Sequence, residues 1–380
     1  MTLGALPGVW LPGSDPGRRH FAELTGGDTS FALEAGGHLP AVTVAYETWG
    51  ALDADRSNAV LVLHALTGDS HAVGPVEAGH PSPGWWEGII GPGAPIDSDR
   101  YFVVCPNVLG GCQGTTGPAS AAPDGLPYGS RFPLITIRDQ VAVEVALADQ
   151  MAIAQWSAVV GGSMGGMRAL EWAIAHPERV RRAVIISVGA AASADEIALC
   201  SLQVRAIRAD PAFAGGDYYT TGTRPLAGLA IARGIGQISY RTASEFDTRF
   251  GHAAQAEEDP LKGGRYAVES YLEHHGDKLG ERFDPNSYIV LSEAMNSHDV
   301  GRGRGGIAAA LETITAPVTL AGIVSDRLYP LALQEELARL IPTARPVTPI
   351  SSPFGHDGFL LEVDQVGAVI AGALSEGPAR

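Results

Sequence analysis

Within SAVVGGSMGGMRALEWA (157–173), Ser163 sits between Gly161-Gly162 and Gly165-Gly166. An apolar run precedes the glycines and a helical pattern follows them. Glycine loses more conformational freedom on folding than any other residue, so four in one short stretch imply a backbone that must turn sharply or approach another closely. Gly161-x-Ser163-x-Gly165 between a strand and a helix is the context of a nucleophile elbow. Such a turn lifts the serine hydroxyl to the carboxyl edge of a sheet. There it lies over a helix N-terminus, where negative charge is favoured. The competing reading is a glycine-rich strand–helix turn that cradles phosphate.

The surrounding pattern supports a sheet of the required kind. FALEAGGHLPAVTVAYETW (31–49) reads as two extended runs around Gly36-Gly37, a hairpin. NAVLVLHAL (58–66), YFVVC (101–105), SAVVGG (157–162) and AVIISVG (183–189) read as strands. Residues 138–154 place Val141, Val145, Ala148 and Ala152 on one helical face, and 164–176 form a helix closed by His176-Pro177. From about 190 to 300 no β-run is evident, and charged, amphipathic stretches dominate. PVTLAGIVSD (317–326) restores the strand pattern, followed by a helix (331–341), a strand (345–350) and a last helix (364–374). The alternation predicts an α/β fold with a mostly parallel sheet flanked by helices. The core is assigned to residues 1–190 and 300–380, and residues 191–299 to an inserted helical lid.

A nucleophilic serine needs a base, and the base needs an orienting carboxylate. On this kind of sheet they follow in the order Ser, Asp or Glu, His. Asp326 lies just after the strand 317–326 and His356 just after the strand 345–350, both in loops at strand carboxyl ends, where open α/β sheets build their sites. Asp326 also reads as a cap for the helix at 331. An oxyanion hole needs two backbone N–H groups. Met164, next to the serine, supplies one, and Leu66 in LHALTGDSH the other. His64 in that loop reads as structural.

Composition narrows the partners. Lys and Arg number 26 against 42 Asp and Glu, a formal charge of -16, which disfavours nucleic acid and anionic membrane. Three cysteines without a C-x-x-C pair indicate neither a disulfide framework nor a zinc site. The N-terminal stretch MTLGALPGVWLPGSDPGRRHF does not read as a signal peptide, and no run of about 18 apolar residues suggests a membrane span. The expectation is a cytoplasmic protein with no metal.

Six stretches carry a resemblance: AYETWG (45–50), LVLHALTGDSHAVG (61–74), NVLGGCQGTTGP (107–118), VGGSMGGMRALEWA (160–173), SDRLYP (325–330) and GHDGFL (355–360). Together they resemble the homoserine O-acetyltransferases of methionine biosynthesis, in particular the mycobacterium-like members, an α/β-hydrolase-fold family. The resemblance implies a ping-pong transfer of acetyl from acetyl-CoA, a co-substrate, to the hydroxyl of L-homoserine, with no permanently bound cofactor. Ser163 is then the nucleophile, His356 the base and Asp326 its orienting carboxylate, with Leu66 and Met164 as the oxyanion hole. It further implies that Arg233 clamps the substrate carboxylate, Asp357 takes its ammonium and Tyr240 hydrogen-bonds it, with Asn58 and Thr67 as further candidates near the oxyanion loop. It also implies a homodimer packed through lid helices. The family often carries Gln where this chain has Arg168, which reads as a surface change. The residues themselves leave open a succinyl donor, serine as acceptor, a plain carboxylesterase and a non-catalytic binding protein on the same fold.

Overall fold

The computed structural model describes residues 7–25 and 30–375; residues 1–6, where the N-terminal stretch read for a signal peptide begins, lie outside them. Eight strands form one sheet: β1 (His20–Leu24), β2 (Val42–Trp49), β3 (Ala59–Leu63), β4 (Phe102–Pro106), β5 (Ala158–Gly162), β6 (Ala183–Ile186), β7 (Val318–Ile323) and β8 (Thr348–Ile350). Their spatial order is β1-β2-β4-β3-β5-β6-β7-β8. β2 runs antiparallel to both β1 and β4, and every pair from β4 to β8 is parallel.

The central strands are apolar on both faces because both faces are covered. β3 and β5 are buried at every residue. Their side chains alternate between two cores, as the period of a strand requires. Leu61, Val159 and Ile185 join one core with α1 (Ile137–Gln150) and α2 (Met164–Ala175). Val60, Val62, Val160 and Val184 join the other, with Trp86, Val366 and Ile370.

Local chemistry sets the helix ends. Thr136 and Asp139 form a reciprocal capping box at the start of α1. The helix stops at Gln150, short of the expected 154, because Ala152 adopts a left-handed φ of 53°. The expected hairpin is real but small. Phe31–Ala32 pairs with His38–Leu39, while Val42–Trp49 leaves for the main sheet beyond Pro40, which has no N–H to continue the ladder. β1 is an addition that five residues of weak alternation did not reveal.

Between β6 and β7 the chain forms α3 (Ala194–Ala209), α4 (Leu226–Tyr240), α5 (Ala243–Arg249), α6 (Ala267–Gly280), α7 (Pro285–Asn296) and α8 (Ile307–Glu312). α9 (Leu331–Leu340) follows β7, and α10 (Gly358–Leu361) and α11 (Val363–Ser375) follow β8. α4 packs between α3 and α6. The crossing with α6 is close because Gly276 faces Ala230, and a Cβ added to Gly276 would lie 2.7 Å from the Ala230 Cβ. We predict that Gly276→Val forces α4 and α6 apart and costs about 1–3 kcal/mol, read as a lower urea midpoint.

Candidate active site

The elbow is built by close contact. Ser163 stands between β5 and α2 with φ 57° and ψ -128°, a conformation that non-glycine residues rarely adopt. A Cβ on Gly161 would lie 2.2 Å from the Gly165 carbonyl oxygen, and one on Gly165 would lie 2.0 Å from the Leu63 carbonyl oxygen. Both glycines are therefore fixed by backbone packed against backbone, at the crossing of α2 over β3 and β5. The Ser163 N–H donates to the Ile186 carbonyl at 3.0 Å, which anchors the turn to β6.

The Ser163 hydroxyl lies 2.9 Å from Nε2 of His356, whose Nδ1 lies 2.7 Å from Oδ2 of Asp326. The other Asp326 oxygen accepts the N–H groups of Leu328 (2.8 Å) and Tyr329 (2.9 Å). The carboxylate is thereby held by backbone and aimed at the imidazole. All three side chains are buried, and the rings of Tyr329, Phe359 and Tyr240 pack around His356 at 5.0, 5.3 and 6.0 Å. Burial alone would push the His356 pKa down. The Asp326 charge and hydrogen bond outweigh it and hold the pKa above the ordinary imidazole value. The arrangement can take a proton from the serine and return it to a leaving group.

Leu66 is buried in the loop after β3 and lines the cavity above Ser163. Met164 is the first residue of α2, so its N–H has no partner within the helix. His64 holds this loop. Its Nε2 accepts the Val108 N–H at 3.0 Å, so its Nδ1 carries the proton and donates to the Ala65 carbonyl at 2.8 Å. Burial, aided by the Arg168 charge, lowers its pKa to about 3, and it stays neutral. Arg168 corrects the surface reading. It is fully buried, pairs with Glu144 at 2.7 Å and donates to the His64 carbonyl. Glu144 also accepts the Trp172 indole N–H at 2.8 Å. A position five residues past the serine thus supports the loop from beneath.

The cavity over Ser163 has a volume of about 320 Å³ and is lined in part by Thr67, Arg233, Tyr240 and Asp357. The Arg233 guanidinium lies 5.6 Å from the centre of the Tyr240 ring. Asp357 is tethered by Arg241, whose Nη1 lies 3.4 Å away and whose Nη2 pairs with Glu245 at 2.8 Å. Thr67 turns its carbonyl to Arg282 at 2.7 Å. Asn58 is not brought to the site. It precedes β3, at the opposite end of the strand from the serine, where its amide donates to the Ala51 and Arg100 carbonyls at 2.9 and 3.1 Å. Proximity in sequence to the oxyanion loop misleads here because a whole strand intervenes. Glu196, His275, Lys278 and Arg282 also line the cavity and were not singled out from sequence. The available signal was weak: His275 and Lys278 stand three apart, on one face of α6.

Among the described residues, Glu47, His71 and His80 form a close cluster of metal-type donors. Most of their atoms already have partners, although His80 Nδ1 is buried without one. His71 Nδ1 lies 2.9 Å from Glu47, Ser70 donates to Glu47 at 2.9 Å, and His80 Nε2 accepts the Arg18 N–H at 3.0 Å. The cluster pins the stretch after the oxyanion loop to β2.

The fold places the protein in the α/β-hydrolase class, and its Ser163, His356 and Asp326 form one hydrogen-bonded chain. A family model for the alpha/beta hydrolase fold matches residues 58–363. A homoserine O-acetyltransferase of Thermobifida fusca is 60% identical over 378 residues, 99% of each chain. The crystal structure of a homoserine O-acetyltransferase from Bacillus anthracis superposes with a TM-score of 0.85 at 27% identity, covering 95% of this chain and 99% of that one. An acetylester hydrolase from Corynebacterium glutamicum superposes with a TM-score of 0.80 at 26% identity, covering 95% and 97%. The chain belongs to the homoserine O-acetyltransferase family, a family of acyltransferase enzymes.

A base acts only when neutral. We predict that modification of Ser163 by a fluorophosphonate rises with pH through a midpoint above about 6.5, the ordinary imidazole value. In Asp326→Asn the anion that raises this midpoint is gone, so the midpoint falls and the rate drops on the order of 10³–10⁴-fold. Stopped-flow or gel-based labelling across pH 5–9 reads both.

Proposed function

We propose that the chain transfers an acetyl group from acetyl-CoA to the side-chain hydroxyl of L-homoserine, as a step of L-methionine biosynthesis. The observation that carries this reading is the Ser163–His356–Asp326 chain at the floor of a covered cavity. It occurs in a chain 60% identical to a protein of that name.

In the first half-reaction the Ser163 oxygen attacks the thioester carbonyl while His356 Nε2 takes its proton. The N–H groups of Leu66 and Met164 hold the oxyanion. The carbon–sulfur bond breaks, His356 returns the proton to sulfur, and CoA leaves an acetyl-serine. In the second half-reaction the homoserine hydroxyl loses its proton to His356 and attacks the acetyl carbon. Ser163 takes the proton back as O-acetylhomoserine forms. Homoserine is a zwitterion, so Arg233 receives its carboxylate through a bidentate fork and Asp357 its ammonium, with Tyr240 as a hydrogen-bonding neighbour. Acetyl-CoA is a co-substrate, and no permanently bound cofactor or metal takes part.

The same proposal treats residues 191–299 as a lid over a core of residues 1–190 and 300–380. It also pairs two copies through the lid, since Leu202 on α3 and Ile231 and Ile238 on α4 present exposed apolar side chains. The three cysteines are buried and free, in keeping with a reducing cytoplasm.

Intact-mass spectrometry with acetyl-CoA is expected to show one acetyl adduct that L-homoserine discharges as O-acetylhomoserine, and no adduct in Ser163→Ala. Loss of the adduct to water at the same rate without homoserine would identify an esterase, and a succinyl adduct alone would change the donor. Arg233→Ala is expected to raise KM for homoserine at least about tenfold, the loss of a charge-assisted pair. Acetylation of the enzyme should survive, so loss of that half-reaction would move Arg233 to the donor side.

A further inference from the structure

The cavity carries more positive charge than homoserine needs. Besides Arg233, its wall includes His275 and Lys278 of α6 and Arg282 just beyond that helix. Among the described residues, none of Arg233, Lys278 and Arg282 has a carboxylate oxygen within the 4.0 Å of an ion pair. Elsewhere this acidic chain pairs its arginines readily, as with Arg302 and Glu34 at 2.8 Å. Lys278 is one of only two lysines in the sequence, so its place on this wall stands out against a charge of -16.

The acids of the same cavity have partners of their own. Asp69 accepts the His71 N–H at 2.8 Å, Glu196 the Ser193 N–H at 2.7 Å, and Asp357 lies against Arg241 at 3.4 Å. The cations therefore crowd one another. Burial and then the Arg233 charge lower the pKa of Arg282. The same two causes, with His274 and Lys278 adding to them, hold His275 down to about 4, so it is neutral at pH 7. Arg282 is fixed by its bond to the Thr67 carbonyl, which sets it against the oxyanion loop.

Depth orders these groups. Ser163 and His356 are buried at the floor, Arg233, His275 and Arg282 are half-buried, and Lys278 is exposed at the rim. A volume of about 320 Å³ lies at the small end for ligand pockets. It suits an acyl group and a slender arm, and leaves a nucleotide outside. We propose that Lys278 and Arg282, with His275 as a neutral hydrogen-bonding neighbour, receive the phosphate groups of the CoA thioester at the cavity mouth. This rests on the reading of the chain as a CoA-dependent acyltransferase. Unpaired cations already in place gain a polyanion without first breaking ion pairs of their own. They also supply locally the attraction that the net charge of the chain denies the donor.

The test compares acetyl-CoA with S-acetylpantetheine, which has the same thioester and arm but no phosphate. Wild-type enzyme should prefer acetyl-CoA in kcat/KM, and that preference should weaken with added salt. Lys278→Glu, at an exposed position that leaves the fold intact, should cut the ratio of the two kcat/KM values about tenfold or more, and Arg282→Gln should cut it likewise. An unchanged ratio in both variants overturns the inference. So does a loss confined to S-succinylpantetheine, which would assign these cations to an acyl carboxylate. If wild-type enzyme is acylated by p-nitrophenyl acetate but by no CoA thioester, the transferase reading itself fails, before any variant is made.

Discussion

The site depends on one close approach: α2 crossing β3 and β5 with backbone against backbone. The Leu63 carbonyl and the Gly165 Cα stand so near that a single added carbon would sit 2.0 Å from the oxygen. This contact brings the helix N-terminus to the carboxyl edge of the sheet and forces Ser163 into a conformation it would not adopt alone. The strained serine then has its hydroxyl within 2.9 Å of His356. Strain at Ser163 is sustained by the burial of β3, β5 and nearly all of α2 around it.

Buried polar contacts extend that rigidity to the neighbouring loop. Arg168 reaches up from α2 to the His64 carbonyl while Glu144 of α1 neutralises it. His64 in turn bridges to Val108 beyond β4. A charge pair in a dry core costs desolvation and is weak evidence for stability, but it fixes direction, because a guanidinium has few arrangements that satisfy it. Here the direction fixed is that of the loop bearing Leu66. Ser70 and His71 on Glu47 secure the far end of the same loop. The backbone proposed to face an oxyanion is thus held from both ends, as preorganised stabilisation requires.

Charge is distributed unevenly in a way the overall balance conceals. The chain is acidic, yet the wall of the cavity over Ser163 gathers Arg233, Lys278 and Arg282 without carboxylate partners among the described residues, while Asp69, Glu196 and Asp357 each have another partner. α4 and α6 bring these cations together, and they can pack so closely because Gly276 meets Ala230.

The sequence by itself determined the elbow, the order Ser163, Asp326, His356 and the parallel core. Each rests on local information: glycines where backbone must touch, apolar runs where strands are covered on both faces, and loops that follow strands. Resemblance to the family, not local pattern, marked Arg233, Tyr240 and Asp357, and nearness to the oxyanion loop marked Thr67; all four line one cavity. Only the tertiary structure decided the rest. Asn58 lies near the oxyanion loop in sequence, yet a five-residue strand carries it to the opposite edge. Arg168 looks like a helix-surface residue until α1 covers it with Glu144. Lys278 and Arg282 are separated by more than a hundred residues from Ser163 and acquire meaning only when α6 folds over the cavity. Local pattern records which face of an element is buried. Which charges meet across that cover depends on how elements distant in sequence pack, and no spacing along the chain encodes that.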